Sequence, residues 1–195
     1  LTLLNIDPQT DTLRLTKAIA NLLFQFGGMP IVDLSHLEKS NLNQGLLKYN
    51  RMKTGTPMSV EIIDSAYELL SLLRNNHSSS YSDRPDYLFH ILSGEYKRGE
   101  EGAYREYQSA LRKFNNHLKS LSRKLRLHSS VTSYTLRHSW ATTAKYRGVP
   151  IEMISESLGH KSIKTTQIYL KGFELEERTK VNKQNYYYVR RFKIA

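Results

Sequence analysis

The sequence contains no cysteine. That excludes a disulfide framework, a thiolate zinc site and a cysteine nucleophile, and it fits a reducing compartment such as the cytoplasm. No apolar run approaches the ~18 residues that a membrane-crossing helix needs, and the start lacks a leader pattern. Acidic residues are scarce: 18 Asp and Glu stand against 29 Lys and Arg, a formal charge of +11. There is no H-E-x-x-H pair, no dense acidic cluster and no Walker-type loop, so no metal site is expected. The first residue is Leu1 rather than Met. An excised or processed chain lacking an upstream domain is therefore expected.

What is present suits one well-cored domain with a tail. The chain has 195 residues, of which 39% are hydrophobic and 24% charged, near the soluble globular range. A pI near 9.7 favours a polyanionic partner, nucleic acid before others, although a merely basic protein has the same composition.

Residues 1–13 read as an entry segment. From Arg14, the apolar residues Leu15, Ile19, Leu22, Leu23 and Phe26 recur at helical spacing, and Gly27 and Gly28 end the helix. Pro30 opens a short second helix. Leu46–Arg51 and Thr56–Ile62 are strand candidates joined by a Lys53-Thr54-Gly55 turn. Ile62 to Leu73 carries a third helical pattern, and the serine-rich stretch Asn75–Pro85 reads as a loop. A longer helix runs through Tyr107, Leu111, Phe114, Leu118, Leu121 and Leu125. Its opposite face carries Arg112, Lys113, Lys119, Arg123 and Lys124, which reads either as a solvated face or as a DNA contact.

Three short helices follow, over about Leu136–Arg147, Ile151–Leu158 and Ser162–Leu170, broken at Gly148 and Gly159. A helix-turn-helix regulator gives a similar pattern. Beyond Gly172 a charged amphipathic helix is expected, then a strand at Tyr186–Val189, with Phe173 and Leu175 buried in cis or in trans. The fold class is mainly α with a small antiparallel β-sheet.

The chemistry concentrates between Tyr134 and Leu170. Arg137 offers a planar fork that suits phosphate oxygens, His160 follows in L-G-H, and Tyr169 stands nine residues after His160. Tyrosine is a nucleophile that needs no cofactor. His138, adjacent to Arg137, is turned about 100° away on a helix and reads as a residue behind the site or in the core rather than a ligand, and Trp140 reads as core. Asp33 and Glu38 read as helix-surface charges, with Asp33 alternatively buttressing an arginine.

Taken together, LRHSWAT, LGHKSIKTTQIYL and YNRMKTG resemble the catalytic domain of tyrosine recombinases, the phage-integrase family, and more narrowly integrases of bacterial mobile elements. The resemblance runs from about Leu15 to Phe173. It implies a domain over 1–172, a tail over 173–195 that docks on a neighbouring protomer, an upstream core-binding domain, and a tetramer on double-stranded DNA in the nucleoid. It further implies site-specific recombination without a cofactor. Tyr169 attacks the scissile phosphate, Arg137 and His160 bind its non-bridging oxygens, and Lys53 protonates the leaving 5′ oxygen.

Two positions depart from the family pattern. Tyr134 replaces a histidine three residues before Arg137 and reads either as a hydrogen-bond donor or as core packing. The place of the family's first arginine falls on Gly27. That puts the activity in question and leaves a non-catalytic DNA-binding paralogue as the alternative, beside the regulator and a type IB topoisomerase-like enzyme.

Overall fold

The structure is a computed structural model and describes residues 2–73, 85–127, 129–170 and 175–191. A short helix α1 (Thr2–Asn5) leads into α2 (Asp11–Gln25). The entry segment is thus partly helical, and Leu3 is buried against the core. The α2 helix starts earlier than Arg14 because the Thr10 hydroxyl accepts from the Leu13 amide, a side-chain cap that periodicity alone does not reveal. Leu13, Thr16, Ala20 and Leu23 line its buried stripe. It stops at Phe26, and Gly27 and Gly28 both take φ of 71°, a conformation that glycine adopts without a side-chain clash.

A short helix α3 (Ile31–Ser35) follows. Strands β1 (Leu42–Asn43), β2 (Leu46–Asn50) and β3 (Pro57–Glu61) form an antiparallel sheet in chain order. The β2–β3 register pairs Leu47 with Val60 and Asn50 with Pro57. The hairpin matches the expected strands within one residue at most ends, and β1 is an addition too short to leave an alternating pattern.

Three helices pack on α2: α4 (Asp64–Leu73), α5 (Glu101–Lys124) and α6 (Ser133–Tyr146). Phe114, Leu118 and Leu121 of α5 enter the main core beside Leu22, Leu34 and Phe89. A second, smaller cluster joins Ala141 and Ala144 of α6 to Ile154 of α7 (Ile151–Ser157) and to Leu158 and Leu170. Leu170 ends α8 (Ile163–Tyr169), whose Ser162 cap accepts from the Lys164 amide. Because α6 contributes Leu136 to the first cluster and Ala141 to the second, Arg137 sits at their seam.

The tail departs from expectation. Residues Leu175–Arg191 form one helix, α9, which takes in Tyr186–Val189. No Gly or Pro interrupts this Glu/Lys/Arg/Gln-rich run, so helical continuity outweighs the strand preference of three tyrosines. Residues 178–188 are exposed. The expected loop at 75–84, Phe173 and the side chain of Leu175 lie outside the described residues. No described helix is long and apolar enough to cross a membrane.

Candidate active site

The first turn of α6 aims Arg137 inward. Thr132 and Thr135 form a reciprocal capping pair, and the Ser133 amide donates to Asn115 Oδ1 of α5 at 2.9 Å. With the helix anchored this way, Arg137 is only 8% exposed. Its Nη1 donates to the Gly28 carbonyl at 2.8 Å and its Nη2 to the Leu158 carbonyl at 2.6 Å. Burial lowers its pKa to about 10, with Arg51 adding to the shift, so the guanidinium stays charged at neutral pH. A buried charge is stable only when its donors are satisfied, and these carbonyls do part of that.

His160 follows Gly159, whose φ of 63° turns the chain out of α7. Its Nε2 lies 3.4 Å from Arg137 Nη2, and its Nδ1 lies 2.8 Å from Thr166 Oγ1 on α8. Arginine can only donate, so Nε2 is the acceptor and Nδ1 carries the proton toward Thr166. Burial first, then the Arg137, Arg51 and Lys53 charges, lower the His160 pKa to about 4. The ring is neutral at pH 7.

Tyr169 closes α8 with its ring 5.9 Å from His160. Its hydroxyl is buried with no well-formed hydrogen bond among the described residues, although Tyr134 lies close enough to act on it. Burial, and then Tyr134, push its pKa well above the usual phenol value, partly opposed by Arg137. Arg137, His160 and Tyr169, separated by up to 32 residues in sequence, therefore come together in space.

Tyr134 is 63% exposed, which rules out the core-packing alternative. Its ring meets that of Tyr169 edge-on at 5.8 Å. His138 also faces this tyrosine, at 5.1 Å, and stacks on Tyr134 at 6.4 Å. His138 is thus a supporting neighbour of the site rather than a ligand, as its position in the sequence suggests. It does leave the face of Arg137, but residues four apart share a face, so Tyr134 and His138 together flank Tyr169.

Lys53 is exposed on the β2–β3 turn, and its charge reaches His160. The turn is fastened to the far end of α7, where the Thr54 and Thr56 hydroxyls both point to the Gly159 carbonyl at 3.4 Å. Gly27 carries no cation to the site. A Cβ there would meet Ser157 O at 3.6 Å and Trp140 Cζ2 at 3.9 Å. Trp140 packs against the second cluster, as expected.

Position in the sequence argues against Arg51 for the missing arginine's role, since it does not follow the first long helix, yet the structure brings it to Leu158 and within electrostatic reach of His160. Arg51 is 6% exposed and its Nε lies 2.8 Å from Oδ2 of Asp33, itself 1% exposed. The approach is off the N–H axis, so it is a charge contact rather than an aligned hydrogen bond. Asp33 Oδ1 accepts from the Met52 amide at 3.0 Å. Burial raises the Asp33 pKa, opposed chiefly by Arg51. Asp33 is thus the buttress rather than a surface charge, whereas Glu38 pairs with Arg98 on the surface at 2.7 Å. The only sequence signal for Arg51 was its place two residues before Lys53.

On α5, Arg112, Lys113, Arg123 and Lys124 are exposed and Lys119 is half-buried. None of the five is among the charges that act on His160, Arg137 or Tyr169. Among the described residues, no group of three His, Cys, Asp or Glu could hold a metal ion.

A family model described as the phage integrase family matches residues 2–175. The tyrosine recombinase XerA of Pyrococcus furiosus is 31% identical over 150 residues, covering 76% of this chain and 47% of its own. A probable integrase/recombinase of Methanocaldococcus jannaschii is 31% identical over 137 residues, covering 70% and 39%. The chain spans less than half the length of these two relatives. Among solved structures, a transposon integrase in complex with a circular intermediate DNA superposes with a TM-score of 0.63 at 13% identity, over 93% of this chain and 62% of that one. A XerA recombinase crystal structure gives 0.57 at 22% identity, over 92% and 63%. At these identities the structural likeness speaks for the fold.

Proposed function

Because the chain belongs to the phage integrase family, we propose that it is the strand-cutting domain of a site-specific tyrosine recombinase acting on double-stranded DNA. The observation that carries this reading is the meeting of Arg137, His160 and a buried Tyr169 hydroxyl at one seam. Tyr169 Oη attacks the scissile phosphorus, forming a 3′-phosphotyrosyl bond as the bond to the 5′ oxygen breaks. The phenolic proton passes to water, since His160 Nε2 already accepts from Arg137, and Lys53 supplies a proton to the departing 5′ oxygen. Arg137 meets the charge that develops on the non-bridging oxygens. Attack by a 5′-hydroxyl reverses the step, so the linkage energy is retained.

Duplex DNA is gripped through the basic face of α5, carrying Arg112, Lys113, Lys119, Arg123 and Lys124. Residues 173–195 act as a tail that docks on a neighbouring protomer of a tetramer, a role supported by the exposure of α9 over 178–188.

The test is incubation with nicked duplexes carrying randomised arms, followed by denaturing recovery of protein–DNA adducts. A covalent adduct is expected, and none with Tyr169→Phe. A chain that retains DNA but forms no adduct would instead be a binding-only paralogue or a regulator.

A further inference from the structure

Position 27 carries no cation, yet the site holds two buried guanidinium groups. Arg137 Nη2 and Arg51 Nη1 both donate to the same acceptor, the Leu158 carbonyl. One oxygen thus gathers two positive groups whose mutual repulsion is strong where water is excluded. A single carboxylate, Asp33, stands at Arg51 Nε. It balances one charge and leaves the other, with Lys53 adding to the excess beside His160. Buried like charges of this kind call for an anion.

The geometry also leaves room for one. Arg51 Nε faces Asp33 and Nη1 faces Leu158, which leaves Nη2 without a hydrogen-bond partner among the described residues. The side chain is held in place on every side. Gly159 has φ of 63°, and a Cβ there would come within 2.9 Å of Arg51 Cγ. The Met52 amide fixes the other oxygen of Asp33 at 3.0 Å, and the Arg51 amide donates to the Thr56 carbonyl at 2.9 Å. A fork held this rigidly loses little entropy on binding.

We propose that Arg51, clamped by Asp33 and the Leu158 carbonyl, is the second phosphate-binding guanidinium of this site, donating with Arg137 to the non-bridging oxygens of a phosphodiester. It does from the β2–β3 hairpin what Gly27 lacks the side chain to do. The role deepens the recombinase reading and rests on it for the reaction, while the anion site itself is testable without cleavage.

The first measurement is a titration of the folded chain with inorganic phosphate, followed by NMR at the His160 ring. A saturable shift is expected for the native chain. In Asp33→Asn/Arg51→Gln, where a neutral pair keeps the packing, the affinity is expected to fall at least about tenfold. A purely structural ion pair would leave that affinity unchanged, and such a result, or no saturable shift in the native chain, overturns the proposal. If the double variant does not fold, Arg51→Lys keeps a charge opposite Asp33 but loses the fork, and a phosphate affinity weakened about threefold or more is expected, with native affinity overturning the proposal.

Adduct formation on nicked duplexes separates the two readings. A phosphate site lost with Arg51 but no adduct on Tyr169 in the native chain sinks the recombinase reading and leaves the anion site standing. An adduct made at the native rate by the double variant overturns the Arg51 assignment alone.

Discussion

Nε2 of His160 lies 3.4 Å from Arg137 Nη2, so the imidazole faces a permanent donor and must accept there. That approach, with Thr166 on the other nitrogen, sets the tautomer, and burial first, then the nearby cations, set the protonation state. Both consequences can be measured.

The His160 pKa is lowered from 6.5 to about 4. Unfolded chains therefore take up this proton first as the pH falls, and the native state loses stability through that window. The contribution is intact above about pH 6.5 and disappears progressively toward pH 4. His36, also lowered by burial, acts with the same sign. Thermal melts from pH 7 to 4.5 are expected to show a falling Tm, and His160→Asn to flatten the fall. Equal slopes in the two proteins would contradict the assignment.

Thr166 is fully buried and holds His160 Nδ1 at 2.8 Å. Thr166→Val removes the acceptor while keeping the shape. We expect about 1–3 kcal/mol of lost stability and adduct formation slower by roughly 10–100-fold, the size seen when a partner that orients a histidine is removed. Nitrogen-correlated NMR of the ring should show the tautomer ratio moving away from Nδ1–H.

Gly27 takes φ of 71°, a region that costs an L-residue roughly 1–2 kcal/mol. Gly27→Arg is expected to lower Tm and to leave adduct formation within about threefold of native, because Arg51 already supplies the cation. A gain of roughly 10² or more, the scale of one transition-state donor, would show the site incomplete without an arginine at this position.

Gly159 lies against the hairpin, where an added Cβ would come within 2.8 Å of Met58 Sδ and 2.9 Å of Arg51 Cγ. Gly159→Ala is expected to cost about 1–3 kcal/mol from overpacking and left-handed strain and to slow adduct formation by displacing Arg51. Denaturant melts beside adduct assays check both.

The α5 cations predict a salt effect rather than a chemical one. Replacing Arg112 and Arg123 with alanine should reduce the slope of log affinity against log salt by roughly 0.9 for each phosphate that is no longer neutralised. Phosphate binding at the His160 ring is expected to stay unchanged, since neither residue acts on it. Anisotropy titrations at several salt concentrations read the slope.

Much of this was legible in the chain itself. Spacing of three and four placed α2, α5 and α6, because helical periodicity depends only on near neighbours. The glycine stops at Gly27, Gly148 and Gly159 were equally local, each taking positive φ as a tight exit requires. The boxes around Arg137, His160 and Tyr169 pointed to phosphodiester chemistry through their resemblance to a known family. Local reasoning failed at Tyr186–Val189, where three tyrosines suggested a strand inside what is a continuous helix.

Only the tertiary structure decided what surrounds those residues. Arg51 stood in the wrong place along the chain for the missing arginine until the β2–β3 turn was seen docked on Gly159, over a hundred residues away. Asp33 read either as a surface acid or as an arginine's buttress until the hairpin was seen against it, with Arg51 Nε at 2.8 Å and the Met52 amide at 3.0 Å. His138 read as a supporting residue from its angle to Arg137, but that it packs on Tyr169 depended on the position of α8. Periodicity follows from neighbours along the backbone, whereas desolvation and charge pairing follow from which distant surfaces meet, and those alone set the electrostatics of this site.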